Sequence, residues 1–219
     1  KIYEILKNLK YKAATVKKNY SNQKDEQLLL SQKTDLIIVK SRKNSIQEGL
    51  KQNLDFLIFD DGLQELGMEF DLKLVCFKSK CWIGNGQLIP SGPMRENVSS
   101  LKRFDAVFLN GYSNNFEKIE NQIRIINSNI KIFRTFYKIL NIDEYDLNLK
   151  YLIFSGIGNP SDFKEILLDN KFDIKKEMIF PDHYNYDYSD FEKIISNAKN
   201  ENLNILTTEK DYMKIPKKF

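Results

Sequence analysis

The sequence predicts an α/β protein: a mostly parallel sheet covered by helices, followed by a second, smaller α/β unit. Three observations predict this. Apolar runs such as Phe56–Phe59 and Tyr151–Phe154 are short and continuous, as in strands covered on both faces. Stretches with helical spacing separate them. The first run ends directly in Asp60-Asp61 and then Gly62. Acids at the carboxyl end of such a strand lie where open α/β sheets place their ligands, and Gly62 would let the backbone turn sharply.

The elements follow in order. Residues 2–11 read as helix, with Ile2, Ile5, Leu6 and Leu9 on one face, and no capping residue precedes them. A short strand is expected near 13–16, then a helix at about 25–32, a strand at 35–39, a helix at 42–52 and a strand at 55–59. Further strands are expected at 72–77 and 105–109, and between them residues 82–100 form a long connection rich in Gly, Pro, Asn and Ser. The polar residues 141–148 read as a linker, dividing a domain at 1–140 from another at 141–219. The second domain opens with the strand at 151–154. Gly156-Ile157-Gly158 reads as a strand-to-helix turn, because the third glycine of a dinucleotide loop is Ser161. Asn159 and Pro160 start a helix, Ser189 to Glu192 reads as a capping box for another, and residues 203–206 form a last strand.

Composition bounds the function. The chain has 219 residues, 42% hydrophobic and 29% charged, which is ordinary for a globular chain of one large or two small domains. The net charge of +4, from 34 basic and 30 acidic residues, is too small and dispersed for a nucleic-acid partner. No apolar run reaches 18 residues, the length a membrane span needs. Two cysteines, Cys76 and Cys81, with one histidine cannot assemble a zinc set and read as reduced thiols.

Several residue groups carry chemistry. Asp60 and Asp61 suit Mg²⁺ or its waters, and they also suit a solvated turn. Arg95 has the planar fork that holds phosphate and Glu96 the oxygens that suit a hard cation, yet the two also make an ordinary ion pair on a loop. His183, the single histidine, stands among polar and aromatic residues where a ring is held for proton transfer or is merely structural. Asp25 and Glu26 favour a helix start through the dipole, and Asp25 also suits accepting a proton from a hydroxyl.

Seven strings then stand in one order: Asp-Asp-Gly-Leu-Gln at 60–64, Gly-Asn-Gly at 84–86, Leu-Ile-Pro-Ser-Gly-Pro-Met-Arg-Glu at 88–96, Asp-Ala-Val-Phe-Leu-Asn-Gly at 105–111, Phe-Ser-Gly-Ile-Gly-Asn-Pro at 154–160, Phe-Pro-Asp-His at 180–183 and Leu-Thr-Thr-Glu-Lys-Asp at 206–211. Together they resemble the tetraacyldisaccharide 4′-kinase family, the lipid A kinases of Gram-negative bacteria. The resemblance implies a P-loop-type, three-layer α/β/α fold with a second α/β domain. It implies transfer of the ATP γ-phosphate, with Mg²⁺, to the 4′-hydroxyl of a tetraacylated glucosamine disaccharide 1-phosphate at the cytoplasmic face of the inner membrane. On that reading Asp25 is the base, partnered by His183; Asp61 and Glu96 lie near the metal; Arg42 and Arg95 lie near phosphates. Glu26, Asp60 and Gln64 are carried over as substrate- or nucleotide-binding residues.

The chain departs from the family pattern at named positions. Glu65 stands where the family has His, Lys24 where it has Gly before Asp-Glu, and Tyr184 where it has a second His. The Ser-Arg-Gly-Tyr-Gly stretch becomes Lys17-Lys18-Asn19-Tyr20-Ser21. The resemblance places a Gly-rich P-loop and an apolar membrane-seating helix before Lys1, and another strand and helix after Pro216. A fragment cut at both ends is therefore expected, one that neither binds ATP tightly nor turns over alone. Glu65 and Lys24 keep a second reading open, a relative that binds lipid or nucleotide without phosphoryl transfer.

Overall fold

The computed structural model describes residues 1–19, 24–65 and 67–216, without the side chains of Lys24 and Asp25. The chain forms two compact units, one made of Lys1–Glu65 with Asn141–Phe219, the other of Leu66–Leu140. One of the two boundaries coincides with the linker expected near 141; the other lies at 65–66, so the first unit is assembled from two separate chain segments.

The N-terminal segment of the first unit contains α1 (Ile2–Asn8), β1 (Ala13–Lys18), α2 (Lys24–Lys33), β2 (Leu36–Val39), α3 (Arg42–Lys51) and β3 (Phe56–Phe59). The strands pair in parallel in the order β2-β1-β3. β1 is the covered strand: Ala13, Ala14 and Val16 are buried, whereas Phe56 at the start of β3 is exposed. The strand expected to be covered on both faces is thus flanked within this sheet on one side only, and the middle place belongs to β1. α3 lies against the sheet through small residues; a Cβ on Gly49 would stand 3.1 Å from Leu57. α1 turns a different face inward from the one its apolar spacing suggests. Tyr3 is buried and its hydroxyl donates to Asp35 Oδ2 at 2.7 Å, while Ile2, Ile5 and Leu9 are exposed.

The C-terminal segment repeats the arrangement. It holds β7 (Lys150–Ser155), α5 (Pro160–Asp169), β8 (Asp173–Ile179), α6 (Tyr188–Asn200), β9 (Asn204–Thr207) and α7 (Glu209–Tyr212), with parallel strand order β8-β7-β9. Leu152, Phe154, Phe191, Ile194 and Ala198 form its core. The capping box of α6 uses Asp187 and Asp190, two residues before the expected one. Asp187 accepts from the Asp190 amide at 2.9 Å and Asp190 from the Asp187 amide at 3.1 Å. Both placements turn Phe191 and Ile194 inward, and the earlier one has a carboxylate at each end of the box. Asn159 occupies the cap of α5 with Pro160 behind it, but makes no side-chain cap bond.

The second unit carries β4 (Leu74–Lys78), β5 (Ala106–Asn110), α4 (Phe116–Ile126) and β6 (Lys131–Thr135), with parallel order β4-β5-β6. Val107, Leu109 and Ile123 are fully buried. The connection over 82–100 is tightly built. Gly84 and Gly86 take left-handed conformations, Asn85 bonds to Ser91 and Gln87, and Met94 is buried. Any Cβ on Gly92 would meet Asn85 and the Gln87 carbonyl below 2.4 Å.

Asp211, at the first turn of α7, is fully buried. It accepts from the Gly156 amide at 3.1 Å, Thr208 Oγ1 at 2.7 Å and Tyr186 Oη at 3.0 Å, with Lys214 Nζ at 3.5 Å. Burial and the adjacent carboxylate push the Tyr186 hydroxyl far above its usual range, so it remains a donor. Gly156 has no room for a side chain there: a Cβ would stand 3.0 Å from Tyr186 Oη and 3.1 Å from the Pro181 carbonyl. Removing the carboxylate in Asp211→Ala takes the acceptor from three donors and the nearby anion from Lys214. The expected loss is about 3–5 kcal/mol, read as a lower urea midpoint at unchanged slope, with Asp211→Asn losing less.

Candidate active site

In the first unit, strands β1, β3, β8 and β9 all deliver charged residues at or just beyond their carboxyl ends. Lys17 is the penultimate residue of β1, Asp60 follows β3, Asp182 and His183 follow β8, and Lys210 follows β9. Glu26 comes from the first turn of α2, the helix after β1.

Glu26 is the hub. Its Oε2 accepts a short charged hydrogen bond from Lys17 Nζ, and its Oε1 lies 3.3 Å from Lys210 Nζ and 3.9 Å from His183 Nε2. Lys17 also donates to Asp60 Oδ2 at 3.1 Å. Lys210 lies 3.8 Å from Asp182 Oδ1, and Asp182 Oδ2 lies 3.9 Å from His183 Nε2. Burial works against the charge on Glu26, but Lys17 and Lys210 outweigh it and hold the carboxyl below its usual range. The same balance acts on Lys17: burial disfavours its charge, and the bonds to Glu26 and Asp60 raise the ammonium above its usual range. With 6% of its side chain exposed, Lys17 is an internal cation between two acids.

The turn after β3 is held from behind. Arg42, at the start of α3, is buried; Nη2 donates to the Asp60 carbonyl at 3.1 Å and Nη1 to Glu65 Oε2 at 3.2 Å. Its Nε is buried and has no hydrogen-bond partner among the described residues. Asp61 itself takes the left-handed conformation, φ +52°, which the sequence suggests for Gly62. Aspartate tolerates that region better than most residues. Asp61 and Gln64 are exposed.

The sequence-derived candidates therefore divide. Glu26, Asp60 and His183 converge, and Arg42 supports Asp60 through its backbone. Asp25 lies in the first turn of α2, and its side chain is outside the described residues. Arg95 and Glu96 belong to the second unit, where Arg95 is exposed and Glu96 forms a short ion pair with Arg103. Lys17, Lys210 and Asp182 are members that motif reasoning did not single out for a role. Lys210 and Asp182 sit inside recognisable strings, whereas Lys17 looks like one basic residue among 34. Among the described residues, no three of His, Cys, Asp and Glu gather as a metal cage, and no helix is long and apolar enough to cross a membrane.

The lowered Glu26 carboxyl has a stability consequence. Its contribution is present above the unfolded value of about 4.3 and is lost as pH falls through the lower folded value. The stability gap between the parent and Glu26→Gln, measured by urea unfolding, should be widest near neutrality and close in acid. A gap that widens on acidification would contradict the ion lattice.

The comparisons with known proteins agree with one another. Residues 7–219 match the family model described as tetraacyldisaccharide-1-P 4′-kinase. A tetraacyldisaccharide 4′-kinase of Pelagibacter ubique is 46% identical over 98% of this chain and 68% of its own length. One from Rickettsia felis is 34% identical over 87% of this chain and 57% of its own length. This chain thus spans between about half and two thirds of such relatives. A crystal structure of LpxK from Aquifex aeolicus, described as in complex with ATP, superposes with a TM-score of 0.68 at 23% identity, covering 98% of this chain and 73% of that one. That likeness speaks for the α/β fold, and the sequence matches speak for the lineage: the chain belongs to the tetraacyldisaccharide 4′-kinase family.

Proposed function

We propose that the protein to which this chain belongs transfers the γ-phosphate of ATP to the 4′-hydroxyl of a tetraacylated glucosamine disaccharide 1-phosphate, at the cytoplasmic face of the inner membrane. The observation that carries this reading is the meeting of Glu26, Asp60, Asp182 and His183 with Lys17 and Lys210 beyond four parallel strand ends. An α/β sheet presents polar ligands there, and phosphoryl transfer depends mainly on positioned charge.

The residues divide the work. Asp25 accepts the proton of the attacking hydroxyl, and the His183 ring, flanked by Glu26 and Asp182, stands as its proton-handling partner. Arg95, exposed on the ordered connection of the second unit, offers a fork for phosphate. Arg42 acts at one remove, fixing the Asp60 backbone. A direct phosphate contact from Arg42 would compete with Glu65, which stands where the family has His. Gln64, exposed just beyond the acids, contributes a neutral donor and acceptor.

Magnesium fits the donor chemistry of the β3 end. The Asp61 carboxylate is exposed and hard, and Mg²⁺ commonly uses one or two protein carboxylates with waters and substrate phosphates, so the lack of a three-acid cage among the described residues does not conflict. Bound there, the ion would neutralise charge on the nucleotide phosphates. Asp60 already has Lys17 as its cation and suits a supporting part. Glu96, paired with Arg103 in the second unit, carries carboxylate oxygens that suit a hard cation.

The test is phosphate transfer from labelled ATP to the tetraacyldisaccharide 1-phosphate by the full-length protein. Asp25→Ala and His183→Ala should each lower kcat by roughly 10²–10⁴-fold, and Asp61→Ala should raise the Mg²⁺ concentration for half-maximal rate. Full activity in both of the first two variants would remove those residues from the mechanism, and absence of transfer by the parent would refute the proposed reaction.

A further inference from the structure

We infer that Lys210 is a positioning residue for His183: one ammonium group fixes the two carboxylates between which the imidazole stands. The inference rests on the phosphoryl-transfer reading above, and it gives Lys210 a role which that reading leaves unassigned.

The geometry is a closed ring of four groups. Lys210 Nζ lies 3.3 Å from Glu26 Oε1 and 3.8 Å from Asp182 Oδ1. His183 Nε2 lies 3.9 Å from Glu26 Oε1 and 3.9 Å from Asp182 Oδ2. The ammonium and the imidazole therefore face each other across the same two acids. Glu26 is brought by α2, Asp182 and His183 by the segment after β8, and Lys210 by α7, which lies 184 residues from Glu26 in sequence. A surface ion pair has one partner and ample water; the Lys210 side chain is 18% exposed and meets two acids.

The base of Lys210 is rigid, and the same anchor reaches His183. Thr208 caps α7 by accepting from the Asp211 amide at 3.1 Å, and its hydroxyl donates to the Asp211 carboxylate at 2.7 Å. Asp211 also accepts from the Gly156 amide, and the Gly156 carbonyl accepts from the His183 amide at 3.2 Å. α7 thus fixes Lys210 directly and the His183 backbone through Gly156. His183 is held at φ +57°, a left-handed conformation uncommon for non-glycine residues, though histidine enters it more readily than most. Without Lys210, Glu26 and Asp182 lose the cation that spaces them, and the imidazole faces two acids that no ammonium bridges. A ring displaced by even an ångström is badly placed for proton transfer.

The experiment uses the full-length protein and the variants Lys210→Met, Lys210→Arg and His183→Gln. Lys210→Met should lower kcat roughly 10- to 100-fold, with KM for both substrates within about threefold, the pattern of a group acting on the transition state. Lys210→Arg, which keeps the charge, should recover most of kcat. In the NMR spectrum, the His183 ring signal, identified by its absence in His183→Gln, should move in Lys210→Met and return in Lys210→Arg. A kcat for Lys210→Met within about twofold of the parent, or an unmoved His183 signal, overturns the positioning role; with His183→Gln inactive, the phosphoryl-transfer reading then still stands. A fully active His183→Gln overturns the positioning role and removes His183 from the mechanism, whereas absence of transfer by the parent refutes the proposed reaction itself. Should Lys210→Met lose its fold by circular dichroism, Lys210→Gln serves for the same comparison.

Discussion

The grip of Lys17 and Lys210 on the two oxygens of Glu26 is the interaction on which the first unit depends. It ties a helix of the N-terminal segment to a helix of the C-terminal segment, and each three-stranded sheet on its own supplies only part of the charged set. The contact extends along the same two helices, where Lys33 pairs with Glu209. Charges placed this way are costly to desolvate, and burial opposes ionisation at both Glu26 and Lys17. Measured against a well-packed apolar replacement such ion pairs add little net stability, whereas removing one partner from a buried pair is costly. The apolar cores under β1 and β7 provide the stability; the lattice decides where the acids stand.

Asp211 does for the backbone what Glu26 does for the side chains. It sits where β7, the segment after β8 and α7 converge, and each of its contacts fixes a different piece of chain. The close fit of Gly156 against Tyr186 and Pro181 gives a packing reason for a glycine in a turn whose sequence looks only faintly like a nucleotide loop.

Much of this was legible in the sequence. Alternating apolar runs and helical spacing located most elements of both segments, and the acid pair after Phe59 marked the carboxyl end of β3. What local pattern missed has physical causes. β6 and β8 end their sheets and mix charged with apolar residues, so their two-residue period is faint. α4 carries its signal in Ile119 and Ile123 at a spacing of four, set among polar residues. Of the site, Glu26, Asp60 and His183 could be read from motifs, but the buried role of Lys17 could not. Nothing near it distinguishes an internal ammonium from a surface one, because its burial comes from strands that pair only in the folded chain. The partnership of Arg42 with Glu65 is hidden in the sequence for the same reason.

The distance in sequence between Glu26 and Lys210, 184 residues, has a consequence for synthesis. Contacts so far apart close late, because the chain must lose the freedom of a long loop before they reward it. A polypeptide emerging from the ribosome can pair β1, β2 and β3 early, yet Glu26 has no Lys210 to meet until the last tenth of this sequence appears. During translation the acids beyond the first sheet stand in water, with their far partners still unmade. The charged set is thus completed only once the segment carrying β8, β9 and α7 has been made, well after the first sheet can form.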